Sequence, residues 1–343
     1  MDFITNFLNN ITDYSIISII GLAKNVSKTT TLNYIIKNLK DYKLGLTSIG
    51  RDGEKYDVIT QLPKPRIFIE EGTYIATARQ SLENSEIKVN LVKKTGIETP
   101  MGEVLISKAI TPGLIELAGP SINYQLSIIC KELKDLGCKV ILVDGAFDRR
   151  AYATPLISDA TILSTGASVS EDMNYVVDLT VHTVELLTLE SETDKLILRL
   201  AKKILENNKV GIINKDNSIK GLGLLTALDA SKEIIENLDD KSQFVVIKGA
   251  LTDKLLEDLM QLTNKYKGLI FLVEDGTKLF LSKNTFKKFQ KKGGFLKVIN
   301  PIKIIALTIN PTSPEGYKFN KIEFLKLLRQ NIKIPIYDLG PCG

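Results

Sequence analysis

Short runs of apolar, β-branched residues alternate along the chain with segments whose apolar positions recur every three or four residues. That pattern predicts strands exchanging with helices. Tyr14–Ile20 is the first such run, and Gly21 ends it. After a polar loop, Lys28–Leu39 carries Leu32, Ile35, Ile36 and Leu39 at helical spacing. Lys43–Ile49 reads as a second strand, so the opening predicts a βαβ unit. Further strands are expected at Arg66–Glu70, Ile87–Val92, Glu103–Ile106, Lys139–Val143 and Asp159–Leu163, with helices at Thr73–Leu82, about Ile122–Leu136 and Ser170–Leu187. Later strands are expected at Phe244–Lys248, Leu269–Val273, Ile304–Ile309 and Ile334–Tyr337, with helices at Leu251–Tyr266 and Lys321–Asn331. The expected fold class is α/β, a mostly parallel, doubly wound sheet covered on both faces. Asn207–Leu224 is polar and punctuated by glycine, so it reads as a boundary between residues 1–206 and a C-terminal α/β extension, 207–343.

The loop between the first strand and helix carries the strongest chemical signal. It reads Gly21-Leu-Ala-Lys-Asn25-Val26-Ser27-Lys28-Thr29-Thr30. A phosphate-binding P-loop follows G-x-x-x-x-G-K-[ST]. Here the first glycine stands one residue earlier, and Ser27 replaces the second. The strand before and the helix after supply the required context, because backbone N–H groups at a helix N-terminus favour phosphate. Lys28 would then reach the β- and γ-phosphates, Thr29 would offer its hydroxyl to Mg²⁺, and Thr30 would hold the α-phosphate or the helix start. The plainer alternative is an N-capped helix start. Ser27 adds a Cβ where glycine lets the backbone approach phosphate, and its hydroxyl is itself a potential phosphate donor. On the phosphate reading the sheet is of P-loop NTPase type, with the nucleotide-binding domain in 1–206 and ATP with Mg²⁺ as ligands.

Metal-binding carboxylates should lie at the carboxyl ends of neighbouring strands. Asp144 follows the strand KVILV, and Asp52 and Glu54 follow the second strand within Arg51-Asp-Gly-Glu54. Asp144 and Asp52 are the metal candidates beside Thr29; each also fits an ordinary Asp-Gly turn. Lys28 and Asp144 are the candidates for catalytic roles. Arg149 and Arg150, beside Asp148, suit either a transferred phosphate or a protein contact. Glu116–Ser121 is a loop before a helix, suited either to accept a substrate group or merely to start that helix with Pro120, and Gly166–Ser170 follows another strand end and is expected on the same rim. Asn310 follows the strand IIALTI and is a candidate base contact, although Asn-Pro is also a turn signal. Asn214–Asn217 falls short of the guanine-reading N-K-x-D, which favours ATP over GTP. His182 is expected to be a surface or packed residue, since no Ser-His-Asp or Cys-His arrangement surrounds it.

Composition narrows the classes. The 45 basic and 40 acidic side chains leave a net charge of +5 spread along the chain, which gives no footprint for nucleic acid. Three cysteines match no zinc or redox spacing and fit a reducing, cytoplasmic setting. No signal peptide and no apolar run of about 18 residues is expected, so no membrane association is either.

The loop resembles that of dethiobiotin synthetase and the related cobyrinic acid amidation enzymes, which place five residues between a glycine and G-K-T. Gly21 and Ser27-Lys28-Thr29 occupy those places, with Ser27 departing. Val143-Asp144-Gly145-Ala146 is similar to the synthetases' V-E-G-A segment, and Asp52 stands where they carry a metal-binding Asp. Over nearly the whole chain, GLAKNVSKTTTLN, LTSIGRDGE, ELAGPS, VDGAFDRR, TGASVS and LTINPTSPEGY together resemble the smaller subunit of lysine 5,6-aminomutase reactivase. That resemblance implies an ATP-binding subunit of an oligomeric assembly, working with a MutS-related ATPase partner to restore a B12-dependent aminomutase by exchange of damaged cobalamin. The alternatives are a ligase of dethiobiotin synthetase type acting on a carboxylate, and a degenerate P-loop scaffold that binds no nucleotide.

Overall fold

A computed structural model describes residues 3–49, 66–145, 154, 155, 157–224, 226, 227 and 230–340. In chain order these form α1 (Phe3–Thr12), β1 (Ile16–Gly21), α2 (Lys28–Asn38), β2 (Leu44–Ser48), β3 (Ile67–Ile69), β4 (Tyr74–Ala78), α3 (Arg79–Glu83), β5 (Val89–Thr99), β6 (Gly102–Ala109), β7 (Gly113–Ile115), α4 (Asn123–Asp135), β8 (Val140–Asp144), β9 (Ala160–Gly166) and α5 (Met173–Leu187). Then come α6 (Lys195–Asn207), β10 (Val210–Asn214), β11 (Ile219–Leu222), α7 (Ser231–Asn237), β12 (Ser242–Ile247), β13 (Leu251–Thr252), α8 (Asp253–Leu262), β14 (Ile270–Val273), β15 (Leu279–Phe280), α9 (Lys283–Lys291), β16 (Phe295–Val298), β17 (Ile304–Asn310), α10 (Lys321–Asn331) and β18 (Ile336–Tyr337). The class is α/β, as expected. Among the described residues no helix is long and apolar enough to cross a membrane.

The chain folds into two compact units. The first contains residues 1–181 and 303–343, and the second contains 182–302. The division therefore differs from a single cut at 206/207: the chain after 302 rejoins the first sheet, and α6 belongs to the second unit.

In the first unit, a nine-stranded sheet runs in the order β18-β17-β9-β1-β8-β2-β4-β6-β5. Every pairing from β18 to β4 is parallel, and β4, β6 and β5 pair antiparallel. Alternating residues explain why both faces are covered. Ile17, Ile19, Val140 and Leu142 point to one core with Leu32, Ile35 and Ile36 of α2 and Phe7 and Ile11 of α1. Ile141 and Val143 point to the other, with Leu126, Ile129 and Leu133 of α4. Cys130 and Cys138 are buried on that second face, and loss of water there pushes their thiols up to about 12 and about 11. Both stay protonated at neutral pH and act as small apolar groups.

The expected helix at Thr73–Leu82 is instead β4 followed by the short α3. Tyr74–Ala76 is occupied by pairing on both sides, with β2 and with β6. Those long-range ladders override the helical spacing of its apolar residues.

The second unit has a five-stranded sheet, β11-β10-β12-β14-β16, in which β12, β14 and β16 run parallel. Asn207–Leu224, expected as a linker, is the end of α6 and the antiparallel pair β10–β11. Its polar centre is the turn, where Asn217 takes a left-handed φ of 65° and Asp216 Oδ1 accepts from the Ser218 N–H at 3.0 Å. His182 is buried, with Nε2 2.8 Å from the Leu281 carbonyl, as a packed histidine should be.

Glu192 is a buried carboxylate of the same unit. Loss of water opposes its charge, but the N–H groups of Asp194 and Thr193 and the Lys297 ammonium outweigh that and hold it below the ordinary range. A depressed folded pKa means that the charged form favours the native state. The contribution is complete above the unfolded pKa and is lost as pH falls through the folded value. Glu192→Gln is expected to cost about 1–2 kcal/mol at pH 7 in urea unfolding, with the gap to wild type closing below about pH 4. An equal gap at pH 7 and pH 3 would contradict this origin.

Candidate functional site

β1 lies between β8 and β9 in the middle of the first sheet. The connections leaving β1 and β9 part in opposite directions: the chain passes from β1 by α2 to β2 on one side, whereas after β9 the next strand it adds to this sheet is β17, on the other side. Adjacent strands that diverge in this way leave a crevice beyond their carboxyl ends, where open α/β sheets bind ligands. The Gly21–Lys28 loop stands there.

The loop's backbone is unusual in a specific way. Asn25 has φ 59° and Ser27 has φ 72°, both left-handed, while Val26 and Lys28 are not among the positive-φ residues. An alternation of hand turns successive N–H groups toward one side and makes an anion-binding concavity. The N–H groups of Val26 through Thr29 fall in this stretch, at the start of α2, where the helix dipole adds positive potential. Ser27 does not act as an ordinary helix cap. Its side chain makes no capping hydrogen bond, and its backbone is left-handed rather than extended.

Close packing fixes the loop at its root. Val26 is fully buried, and a Cβ placed on Gly21 would approach Val26 Cγ2 to 2.6 Å and Lys28 Cδ to 3.0 Å. Lys28 Nζ donates to the Ala23 carbonyl at 3.4 Å, so the ammonium lies across the loop. Thr29 and Thr30 are half-buried in the first turn of α2. Thr31, which the sequence reading did not single out, donates to the Ser27 carbonyl at 2.9 Å and contacts Thr308 Oγ1 at 3.0 Å. Thr308 in turn meets Ser164 Oγ at 2.7 Å, and the Leu22 N–H donates to the Ser164 carbonyl at 3.0 Å. A signal for this chain of hydroxyls existed: Thr308 interrupts the apolar run of β17, and Ser164 lies beside Thr165 where the apolar run of β9 ends.

Asp144 ends β8 in register with Ile19 of β1 and Ser48 of β2, so it stands beside the strand that feeds the loop. Gly145 keeps the chain against β1, donating to the Ile19 carbonyl at 2.9 Å; a Cβ there would lie 2.6 Å from that oxygen. Glu116–Ser121 reaches the same rim, since a Cβ on Gly119 would lie 1.8 Å from the Ser48 carbonyl oxygen. Asn310 ends β17; its Nδ2 donates to the Asn25 carbonyl at 3.2 Å, and its Oδ1 accepts from the Thr312 N–H at 3.1 Å. Ser168 Oγ donates to the same Asn25 carbonyl at 3.2 Å. Arg51, Asp52, Glu54, Asp148, Arg149 and Arg150 lie outside the described residues. Asn214–Asn217 belongs to the β10–β11 turn of the second unit.

Among the described residues no group of three or more His, Cys, Asp or Glu is placed to hold a metal. The chemistry present is a set of backbone donors and the ammonium groups of Lys24 and Lys28 at the loop, with a hydroxyl, Thr29, and a carboxylate, Asp144, on adjoining elements. Backbone donors and ammonium groups are the chemistry that holds a phosphate-bearing anion, and hydroxyl and carboxylate oxygens are the ligand types that Mg²⁺ takes. No protein-family model, curated protein or solved structure matches this chain.

The left-handed Ser27 gives a test of the loop. A non-glycine residue there costs about 1 kcal/mol. Ser27→Gly is expected to raise stability by about 0.5–1 kcal/mol and to tighten Mg-ATP binding several-fold, measured by thermal melts with and without nucleotide. Weaker binding in a more stable variant would instead place the Ser27 hydroxyl on a phosphate.

Proposed function

We propose that the chain binds Mg-ATP on a variant P-loop, Gly21–Thr30, and serves as the nucleotide-binding subunit of a reactivating complex for a B12-dependent aminomutase. The observation that carries the nucleotide reading is the alternation of hand at Asn25 and Ser27, which gives the loop an anion cradle without its second glycine. Lys28 neutralises the β- and γ-phosphates, Thr29 supplies a hydroxyl to Mg²⁺, and Asp144 holds the ion's water shell. Asp52 is the further carboxylate assigned to the metal by resemblance.

The reactivase role rests on the segments ELAGPS, TGASVS and LTINPTSPEGY together with the loop. In such a role nucleotide biases a conformational change in a partner, so slow turnover by the chain alone is expected. The partners on this reading are a MutS-related ATPase and the aminomutase, in the cytoplasm.

Calorimetric titration of the full chain with Mg-ATP and Mg-GTP tests the first step. Saturable binding that prefers ATP is the expected result. Absence of binding, both alone and with the MutS-related partner, would overturn the reading. Recovery of cobalamin-inactivated aminomutase by ATP and both proteins tests the second step.

A further inference from the structure

We propose that Ser168 and Asn310 are positioning residues of the phosphate loop, acting as a two-donor clamp on the carbonyl of Asn25. The inference rests on the phosphate-loop reading and deepens it. Ser168 Oγ and Asn310 Nδ2 each donate to that carbonyl oxygen at 3.2 Å, which uses both of its lone pairs. The structure contains no cis peptide among its described residues, so the Asn25–Val26 peptide is trans and planar. Its C=O and N–H therefore point in opposite directions. Holding the oxygen against Ser168 and Asn310 turns the Val26 N–H the other way and fixes the first member of the cradle. It also holds Asn25 at its left-handed φ of 59°, a conformation that asparagine tolerates but does not prefer.

The clamp is built rather than incidental. Asn310 and Gly166 are in register across β17 and β9, and a Cβ on Gly166 would lie 2.1 Å from the Asn310 carbonyl oxygen. The close approach of the two strand ends thus depends on glycine. The Thr312 N–H fixes which way the Asn310 amide faces by donating to its Oδ1 at 3.1 Å. Ser168 lies in the single helical turn Ala167–Val169 that directly follows Gly166. Two neighbouring strands therefore each send one donor to one oxygen of the loop.

The test uses Ser168→Ala, Asn310→Ala and their double variant in the full chain, with Ser168→Thr as a variant that keeps the hydroxyl. Two readouts are taken: the Kd for Mg-ATP, and hydrogen exchange of the Leu22–Thr30 amides without nucleotide. Each alanine variant is expected to weaken Mg-ATP about three- to tenfold and to speed exchange in the loop, while Ser168→Thr stays near wild type and the melting temperature holds. Wild-type affinity and wild-type exchange in both alanine variants would overturn the clamp. If the wild type binds no Mg-ATP, the phosphate reading falls, and loop exchange alone still decides the clamp: faster exchange supports it, and unchanged exchange overturns it.

Discussion

Lys28→Ala is expected to raise the Kd for Mg-ATP at least about a hundredfold while leaving the melting temperature unchanged or slightly higher. The first half follows from the ligand. An ammonium that meets two phosphates makes charge-assisted hydrogen bonds, roughly twice as strong as neutral ones. The second half follows from the fold. Lys28 is the first residue of α2, where the helix dipole disfavours a positive charge by about 0.3–1 kcal/mol, and alanine is the better helix former. Lys28 is thus set against the helix dipole, a cost that its hydrogen bond to the Ala23 carbonyl offsets only in part and that a bound anion would offset further. Calorimetry and thermal melts on the same sample separate the two halves. A destabilised variant with unchanged affinity would make Lys28 a structural residue.

Gly119→Ala is expected to destabilise the first unit by about 3 kcal/mol or more, seen as a lower urea midpoint. The added Cβ would stand 1.8 Å from the Ser48 carbonyl oxygen, 2.9 Å from its carbon and 3.3 Å from Thr47 Oγ1. The obstacle is backbone at the last residue of the parallel strand β2, so no rotamer change relieves it. The neighbours are tied as well: the Ala118 carbonyl accepts from the Ala78 N–H at 2.7 Å, and the Ala118 N–H donates to Thr77 Oγ1 at 2.8 Å. Either the loop leaves the rim or β2 shifts, and a shift of β2 displaces Ser48, the neighbour of Asp144. A midpoint within error of wild type would show that this loop moves freely from the strand.

Much of the first unit was legible in the chain. β1, α2 and β2 follow from an apolar run, a helical period and a second run, and α10 falls at its expected residues, Lys321–Asn331. These signals are local. What stayed illegible depends on distant partners. Tyr74–Ala78 becomes a strand only because β2 and β6 flank it. The apolar run Val210–Ile213 was hidden by the polar turn beside it, although Gly211 lacks room for a side chain, a Cβ there meeting Ile204 Cγ2 at 2.5 Å. At the loop, residue types pointed to the chemistry, but Ser27 in place of glycine left the backbone's hand open. The second donor to Asn25 comes from a strand far along the chain, beyond the reach of any motif window.

The insertion of residues 182–302 between β9 and β17 sets a timetable for biosynthesis. Asn25 and its partner Asn310 are 285 residues apart. Chains grow from the N-terminus, and compact units fold as they emerge. The second unit is therefore fully translated before the strand that completes the first. Throughout that interval β9 has an open edge, and the loop carbonyl lacks one of its two donors. On the proposed nucleotide reading, the complete set of donors to the loop is present only once translation has run through β17.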